Sequence, residues 1–322
     1  MIQRRLTRAR GAAQLLHRPV RLAPAELVRR LLAVQAQDPR AVRLALRARI
    51  DGLTWEEVDD DALVVTWLNR GTLHLVHRDD YPWLQALTAP TRDATSARRL
   101  RQLGVSESDA DRAVAIVAAA VHEAPRTRAQ LAELLGTEGQ ATPHLLALAA
   151  RRGVTVMDTR RRFVPAPAET APVDRDVALA ELARRYLAAH APATDRDLAA
   201  WSGLPLRDVR AGMRECRICQ PQADSFDTRA IGARSVREVR EAPAHTEPIP
   251  PRLLPAFDPY LLGWKDRSFA VPPALSKQVH PGGGMIRAVA TVDGVVVAEA
   301  DDRFAAERAD VQRFLSGARP AS

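Results

Sequence analysis

Apolar residues recur through much of the chain at the three- and four-residue spacing of helices that bury one face. The first such stripe consists of Leu27, Val28, Leu31 and Leu32. It predicts a helix that begins near Pro24 and ends near Gln37, because a residue that precedes a proline is disfavoured in the α region. Asp38 and Pro39 then suit the N-cap and first residue of a second helix over residues 40–50.

Two glutamines, Gln35 and Gln37, lie at this junction. On a continuous helix, side chains two residues apart point to nearly opposite sides. A bend between two helices can instead bring both carboxamides to one point. Spacing alone also fits two solvated glutamines in a turn.

The pattern changes after the second helix. Thr54 and Glu57 have the spacing of a capping box, and two apolar strands over residues 64–67 and 72–76 flank a turn at residues 69–71. A series of helices followed by a pair of strands is the order of elements in a winged helix. We therefore predict a first winged-helix unit over residues 1–92, whose final helix starts at Asp79 or Asp80.

A repeat follows, in which residues 124–136 and 191–203 share the pattern Ala-Pro-x-Thr-x-x-x-Leu-Ala-x-x-x-Gly. In each copy the threonine (Thr127, Thr194) suits an N-cap and the glycine (Gly136, Gly203) suits a helix end. Helical patterns precede and follow both copies. We predict two more helix-turn-helix units, over residues 93–172 and 173–250.

Strand patterns complete the chain. Residues 154–164 predict a hairpin with a basic tip, and the proline-rich stretches 165–173 and 243–255 predict linkers. The last unit, residues 251–322, is predicted to be rich in β structure and to end in a helix over residues 304–316. Its predicted strands are 253–257, 268–271, 286–292 and 295–300. The fold class is therefore α+β.

Positive charge is concentrated at one end of the sequence. The chain has a net charge of +8, whereas residues 1–50 alone hold twelve arginines against Glu26 and Asp38, a net +10. Such a cluster is expected where a protein binds a phosphate backbone. The chain has only two lysines, Lys265 and Lys277. This preference for arginine is typical of a GC-rich genome, so only the clustering is informative.

Several classes of function are disfavoured. No apolar run approaches the roughly eighteen residues of a membrane span, and the basic N-terminus lacks the apolar core of a signal peptide. We expect a cytoplasmic, nucleoid-associated monomer without an obligate protein partner. Cys216 and Cys219 form a lone CxxC pair without the two further ligands that zinc needs. We therefore predict no metal site and no cofactor.

Five motifs carry a family resemblance when they are taken in order. They are VQAQDP, RGTLHL, ARRYLAAHAPATDRDLAAWSGLPL, LLPAFDPYLLGWKDRS and HPGGGMIR. Over essentially the whole chain they resemble the AlkZ/YcaQ-type family of winged-helix DNA glycosylases. The resemblance implies three tandem winged helices and a C-terminal β-barrel-like unit around a concave face of the size of DNA.

The resemblance also implies an activity. The family excises bulky or cross-linked N7-alkylated purines, and some members protect the producers of DNA-alkylating antibiotics. A Gln-x-Gln element is catalytic in its AlkZ branch, which implies that Gln35 and Gln37 are catalytic; the YcaQ branch has an acid at the second position. The segment 285–300 departs from the family pattern, because it lacks a proline and a tryptophan that the barrel usually carries.

Glutamines suit this chemistry. Glycosidic hydrolysis usually recruits two carboxylates, but a guanine alkylated at N7 is cationic and leaves without a general acid. A glutamine pair can hold a water and direct carbonyl dipoles at the oxocarbenium ion. Asp38 is the rival for water activation, although a helix cap already explains it. Both lysines lie in the C-terminal part, so we predict base release without AP-lyase activity.

Further residues are candidates for contact with double-stranded DNA carrying alkylated purines. They are Arg40, Arg43, Arg70, Thr72, His74, Arg160, Arg161, Arg162, Lys265, His280, Gly282 and Gly283. The three arginines at 160–162 also fit a solvated turn, and His74 also fits a structural histidine on a strand. Residues 280–284 are predicted to join two strands as a hairpin that enters a groove, or to form a flexible loop. Trp264 is better explained as a core residue.

Two other functions fit parts of the pattern. A winged-helix transcriptional regulator would bind an operator without catalysis, although the sequence lacks a dimerisation coiled coil and an effector domain. An inactive paralogue would bind adducts without hydrolysing them. Base release from an alkylated duplex distinguishes the enzyme from both.

Overall fold

The computed structural model describes residues 2–17, 20–88, 93–137, 139–167, 173–219 and 247–318. The helices in these ranges are α1 (Ile2–Ala13), α2 (Pro24–Leu31), α3 (Pro39–Arg47), α4 (Tyr81–Thr88), α5 (Asp93–Gln102), α6 (Glu107–Glu123), α7 (Arg128–Leu135), α8 (Ala141–Arg151), α9 (Arg175–His190), α10 (Asp195–Ser202), α11 (Leu206–Cys219), α12 (Pro259–Leu262), α13 (Ser276–Val279) and α14 (Ala305–Leu315). Among the helices described, none has the length and apolar character that a membrane crossing requires.

Two antiparallel sheets accompany the helices. The strands are β1 (Val34–Gln35), β2 (Leu63–Leu68), β3 (Thr72–His77), β4 (Thr155–Met157), β5 (Phe163–Pro165), β6 (Arg252–Leu254), β7 (Val289–Val292) and β8 (Val295–Val297). The larger sheet has the order β1-β3-β2-β4-β5 and the smaller one the order β6-β7-β8. Both hairpins predicted in the first half of the chain are confirmed. They are also joined to each other, because Val65 of β2 pairs with Met157 of β4.

The two repeated helix-turn-helix segments form as predicted. Thr127 caps α7 and exchanges capping-box hydrogen bonds with Gln130, and Thr194 does the same for α10 with Asp197. Both helices end at a glycine with left-handed backbone, as the repeat predicted. Each capped pair satisfies backbone groups that a helix start otherwise leaves to solvent.

The five-stranded sheet separates two apolar cores. Successive residues of a strand face opposite sides, and accordingly Leu63 and Val65 pack in one core while Val64 and Leu68 pack in the other. The first core contains α2, α3, α6, α8 and Phe314 of α14. The second contains α9, α10 and apolar residues between Ile249 and Val296. Gln35 is paired with His74 on the second side, so it faces the C-terminal unit.

The C-terminal unit differs from the expected barrel. Its described residues form the three-stranded sheet β6-β7-β8 and not a closed barrel. Residues 268–271, predicted as a strand, form turns, and the other three predicted strands are shorter than expected. The final helix is confirmed as α14. The predicted linkers 165–173 and 243–255 lie partly outside the described residues.

Polar contacts, one of them fully buried, join the first fifty residues to this unit. Arg4 and Arg8 of α1 pair with Asp293, at 2.7 and 2.9 Å. Beyond the end of α3, Arg49 forms a bidentate ion pair with Asp258, at 3.0 and 2.7 Å, and both side chains are entirely buried. These contacts fix the C-terminal unit opposite β1.

Candidate active site

Gln35 lies on a strand and not at the end of a helix. α2 ends at Leu31, after which the chain pairs with β3. The prediction that this helix continues to near Gln37 is therefore wrong. The reason is tertiary, because Val34 and Leu75 are opposite each other and buried. Buried backbone groups must be hydrogen-bonded, and here the neighbouring strand supplies the partners.

The strand places Gln35 beside His74. The Ala36 N–H donates to the Leu73 carbonyl at 2.7 Å, which makes Gln35 and His74 the adjoining non-hydrogen-bonded pair, whose side chains lie closest. The His74 Nδ1–H donates to the Thr72 carbonyl at 2.9 Å, so the lone pair is on Nε2. Burial lowers the pKa of His74 to about 4. His74 is therefore neutral at physiological pH, and its Nε2 is a hydrogen-bond acceptor and not part of a cation.

Gln37 is exposed and precedes the cap of α3 directly. As predicted, Asp38 is this cap: its Oδ1 accepts hydrogen bonds from the backbone N–H groups of Arg40 and Ala41, at 2.8 and 3.1 Å. Pro39 is the first helical residue. The cap accounts for Asp38, which leaves the two glutamines as the residues of this junction with free functional groups.

A cavity of about 400 Å³ opens beside Gln35. Its walls come from the larger sheet and from the C-terminal unit, and the lining residues are Gln35, Arg70, Thr72, Leu262, Arg267, His280, Gly282, Gly284, Met285 and Ile286. Five predicted site residues thus meet in one place, although Gln37, His74 and Gly283 are not among those that line it. None of the lining residues is an aspartate or a glutamate.

Polar atoms of the cavity wall lack protein partners. The Thr72 hydroxyl is buried without a hydrogen bond to any described residue, and so are both ring nitrogens of His280. A buried polar atom left without a partner costs about 1–3 kcal/mol. A polar ligand or a water at this wall would recover that cost, so the wall suits a hydrogen-bonding substrate.

Arg70 connects the cavity to the second capped repeat. Its Nη1 donates to the Ala200 carbonyl of α10 at 2.7 Å. Its Cγ lies 3.2 Å from the point that a Cβ at Gly203 would occupy. The end of α10 and the turn that follows it therefore pack against Arg70 and limit its movement.

Arg267 is a lining residue that the sequence analysis overlooked. Its Nε donates to the Leu261 carbonyl at 2.6 Å, and burial lowers its pKa. Burial and the neighbouring Arg267 also lower the pKa of His280. The GWKDRS motif, which contains Arg267, was the available signal. In the same motif Trp264 is buried as predicted, and the exposed side chain of Lys265 does not line the cavity.

The glycine-rich segment is a loop and not the predicted hairpin. It follows α13, and residues 285–288 that leave it are not in a strand. Gly282, Gly283 and Gly284 all have positive φ, of 110°, 61° and 76°. An added Cβ would meet nothing within 4 Å at any of them. The glycines are thus required by the backbone conformation and not by close packing.

The arginines of α3 are used mainly inside the protein. Arg40 is exposed. Arg43, in contrast, is buried, donates to the Trp55 carbonyl at 2.6 Å and pairs with Asp59. The Arg43 guanidinium is therefore held by groups of the protein, and its predicted DNA contact stays a prediction. Arg47 is likewise buried and paired, so the net charge of residues 1–50 overstates the positive surface available to a phosphate backbone.

The arginines at the basic tip of the second hairpin also differ in exposure, since two are exposed and one points into the protein. Arg160 and Arg162 are exposed, although each also contacts a carboxylate, Asp59 at 3.1 Å and Asp158 at 2.8 Å. Arg161 turns inward and donates a hydrogen bond to the Ala36 carbonyl, while burial lowers its pKa. The Arg161 guanidinium is therefore bonded to the backbone of the first unit, and its predicted phosphate contact stays a prediction.

Known proteins that are similar to this chain define its class. The family described as DNA glycosylase AlkZ-like matches residues 28–317. Since that match spans most of the sequence, the chain belongs to the AlkZ-like DNA glycosylase family. Among solved structures, Streptomyces sahachiroi DNA glycosylase AlkZ has a similar fold, with a TM-score of 0.75, 21% sequence identity, and 99% of this chain and 98% of that chain covered. No curated protein matches the chain.

Family membership confirms the resemblance carried by the five motifs. It also favours a glycosylase over a transcriptional regulator. Within the described residues there is no group of three or more histidine, cysteine, aspartate or glutamate side chains placed to hold a metal ion.

Proposed function

We propose that this glycosylase hydrolyses the N-glycosidic bond of N7-alkylated guanine in duplex DNA, with Gln35 and Gln37 as its catalytic pair. The observation that carries the proposal is the side chain of Gln35 on a cavity whose lining, among the described residues, includes no carboxylate. Such a cavity offers no general acid for a neutral leaving base. A guanine alkylated at N7 already carries a positive charge and leaves without one.

The two glutamines then have to act on the sugar. A carboxamide accepts hydrogen bonds through its oxygen and donates two through its nitrogen, but takes no proton near neutral pH. We infer that the pair holds the attacking water on the face of the sugar opposite the departing base. Their carbonyl dipoles also stabilise the oxocarbenium ion. Catalysis by positioning alone is weak on an unmodified nucleoside, which restricts hydrolysis to labile cationic lesions.

DNA binding is assigned to the cationic and polar groups around the cavity. Arg70 and Arg267 bring positive charge to its two walls, and we propose that they bind backbone phosphates next to the lesion. His280 and Thr72 offer neutral hydrogen-bonding groups for the nucleotide itself. Exposed residues outside the cavity extend this surface: Arg40, Arg160, Arg162, Lys265 and Gly283. We further propose that the helix-turn-helix segments act as three winged helices along the duplex.

The proposed reaction ends at base release. A bifunctional glycosylase needs an amine that forms a Schiff base at the sugar. Neither Lys265 nor Lys277 lines the cavity. We therefore propose a monofunctional hydrolase that removes bulky or cross-linked adducts, in DNA repair or in self-resistance to an alkylating natural product.

Base release from a defined duplex tests the proposal. The substrates carry one N7-alkylguanine, either methylated or bulky, and released base and strand breaks are measured separately. We expect release by the wild type without strand cleavage, and a loss of about a hundredfold in rate for Gln35→Ala and for Gln37→Ala. Gln312→Ala, on an exposed position of α14, removes the same group outside the cavity and should keep the wild-type rate.

Two results would overturn the assignment. If the wild type binds the duplex but releases no base from any adduct, the chain is a binding protein for DNA or for adducts. If release persists in both glutamine variants, the catalytic groups lie elsewhere in the cavity.

A further inference from the structure

The tip of the second hairpin rests on the segment that carries the two glutamines. Arg160 Nε reaches the Asp59 carboxylate at 3.1 Å. Arg43, which also pairs with Asp59, donates to the Thr159 carbonyl at 3.4 Å. Burial raises the pKa of Asp59, but its bonds with the two arginines outweigh this and leave the pKa below its usual range. The tip is therefore docked on the first unit through an ionised carboxylate.

Arg161 occupies an unusual backbone conformation at this tip. Its φ is 66°, in the left-handed region that favours glycine and strains residues with a Cβ. Its N–H donates to the Asp158 carbonyl at 3.0 Å, which closes the turn. This conformation directs the side chain toward the first unit, where Nη2 donates to the Ala36 carbonyl. The backbone conformation of this turn favours glycine. The presence of an arginine here is therefore explained by a contact of its side chain and not by the turn.

The acceptor of this hydrogen bond lies between the two glutamines. The N–H of Ala36 belongs to the peptide unit after Gln35, and it is held by the Leu73 carbonyl at 2.7 Å. The carbonyl of Ala36 belongs to the peptide unit before Gln37, and it is held by Arg161. Because a peptide unit is planar, two hydrogen bonds fix both planes that set the directions of the glutamine side chains.

We propose that Arg161 is a positioning residue for the Gln35–Gln37 pair, which it aligns through the Ala36 carbonyl. The inference rests on the proposed catalytic role of that pair. It also gives the second hairpin a role in catalysis that does not involve DNA. The competing role is a phosphate contact, which predicts different kinetics.

Arg161→Gly is the informative variant. It removes the guanidinium while it relieves the strained backbone, so the fold should be retained and the melting temperature should not fall. If Arg161 aligns the pair, kcat for base release should fall by at least about tenfold, while KM and the salt dependence of DNA binding stay near the wild-type values. Arg161→Lys keeps a long donor and should recover most of the rate. Arg112→Ala, in an exposed ion pair of α6, is the control for loss of one charge.

A phosphate contact would give the opposite result. KM would rise, kcat would hold, and the logarithmic salt slope of binding would fall by about one unit. That outcome, or an unchanged kcat in Arg161→Gly, would overturn the inference.

Amide hydrogen exchange separates this inference from the proposed function. In Arg161→Gly the Ala36 amide, which donates to the Leu73 carbonyl, should exchange faster than in the wild type, while the amides of β7 stay unchanged. Unchanged exchange at Ala36 would show that Arg161 does not fix this segment, whatever the activity. A wild type that releases no base would instead refute the proposed function, and the exchange comparison would still decide whether Arg161 holds the segment.

Discussion

The buried ion pair between Arg49 and Asp258 joins the segment after α3 to the C-terminal unit, and its loss should be costly. Both side chains are 0% exposed. Besides the two bonds to Asp258, Arg49 donates to the carbonyls of Gln14 and Ala45, at 3.0 and 2.8 Å. Asp258 also caps α12 by accepting from the Tyr260 N–H at 2.9 Å. Nearly every polar atom of the pair is therefore satisfied inside the protein.

Asp258→Asn tests this pair with little change in shape. The asparagine keeps one acceptor but leaves the Arg49 charge buried without a counter-charge. Breaking a buried pair in this way costs about 3–5 kcal/mol, and we expect the lower end, about 3 kcal/mol, because part of the hydrogen bonding survives. Urea denaturation measures the loss as a change in the free energy of unfolding.

A surface pair provides the matched control. Asp111 pairs with Arg152 at 2.6 Å, with side chains 57% and 40% exposed, and Asp111→Asn should cost less than about 1 kcal/mol. If both substitutions cost the same, the reasoning from burial is refuted. Adding Arg49→Met to Asp258→Asn should recover part of the loss, since the unpaired buried charge is then removed. A double variant that loses the sum of the two single losses would show that the residues are not coupled.

Two other predictions follow from the same physical arguments. Gly136→Ala and Gly203→Ala should each cost about 1 kcal/mol for a left-handed backbone, but only Gly203→Ala should also lower base release, because its Cβ would press on Arg70; equal activity of the two variants would contradict this. Burial lowers the pKa of His190 to about 3, whereas an unfolded histidine titrates near 6.5. Between these values the unfolded chain binds the extra proton, so the free energy of unfolding falls as the pH falls. His190→Phe should reduce the loss between pH 7 and 4.5 by about 2 kcal/mol, and an unchanged loss in urea titrations at the two pH values would argue against it.

Local signals in the sequence predicted the local structure. The capped helices of the repeat, the Asp38 cap and both hairpins depend on residues that are close together in the chain, and all of them are observed. The strand at Gln35 could not be predicted in this way, because its partner β3 is almost forty residues away and overrides the helical pattern.

Charge was the least reliable guide to the site. Arg43 and Arg161 were predicted to face DNA, yet their guanidinium groups satisfy carboxylates and carbonyls inside the protein. The sequence does not show whether an arginine forms an ion pair with a carboxylate from a distant element or stays free for DNA. The motif that contains Arg267 did not show that this side chain lines the cavity, because only the folded chain brings it to the same cavity as Gln35.

Helix α1 has a consequence for the order in which the chain can fold. Two of its polar partners, the Phe269 carbonyl at 2.6 Å from the Thr7 hydroxyl and the Asp293 carboxylate, lie more than 250 residues later in the sequence. During synthesis, helix α1 cannot dock on these partners until most of the chain has been made. Contacts so distant in sequence are closed late and slowly. Helix α1 is thus made well before the residues on which it docks, and it should be among the last elements to reach its place.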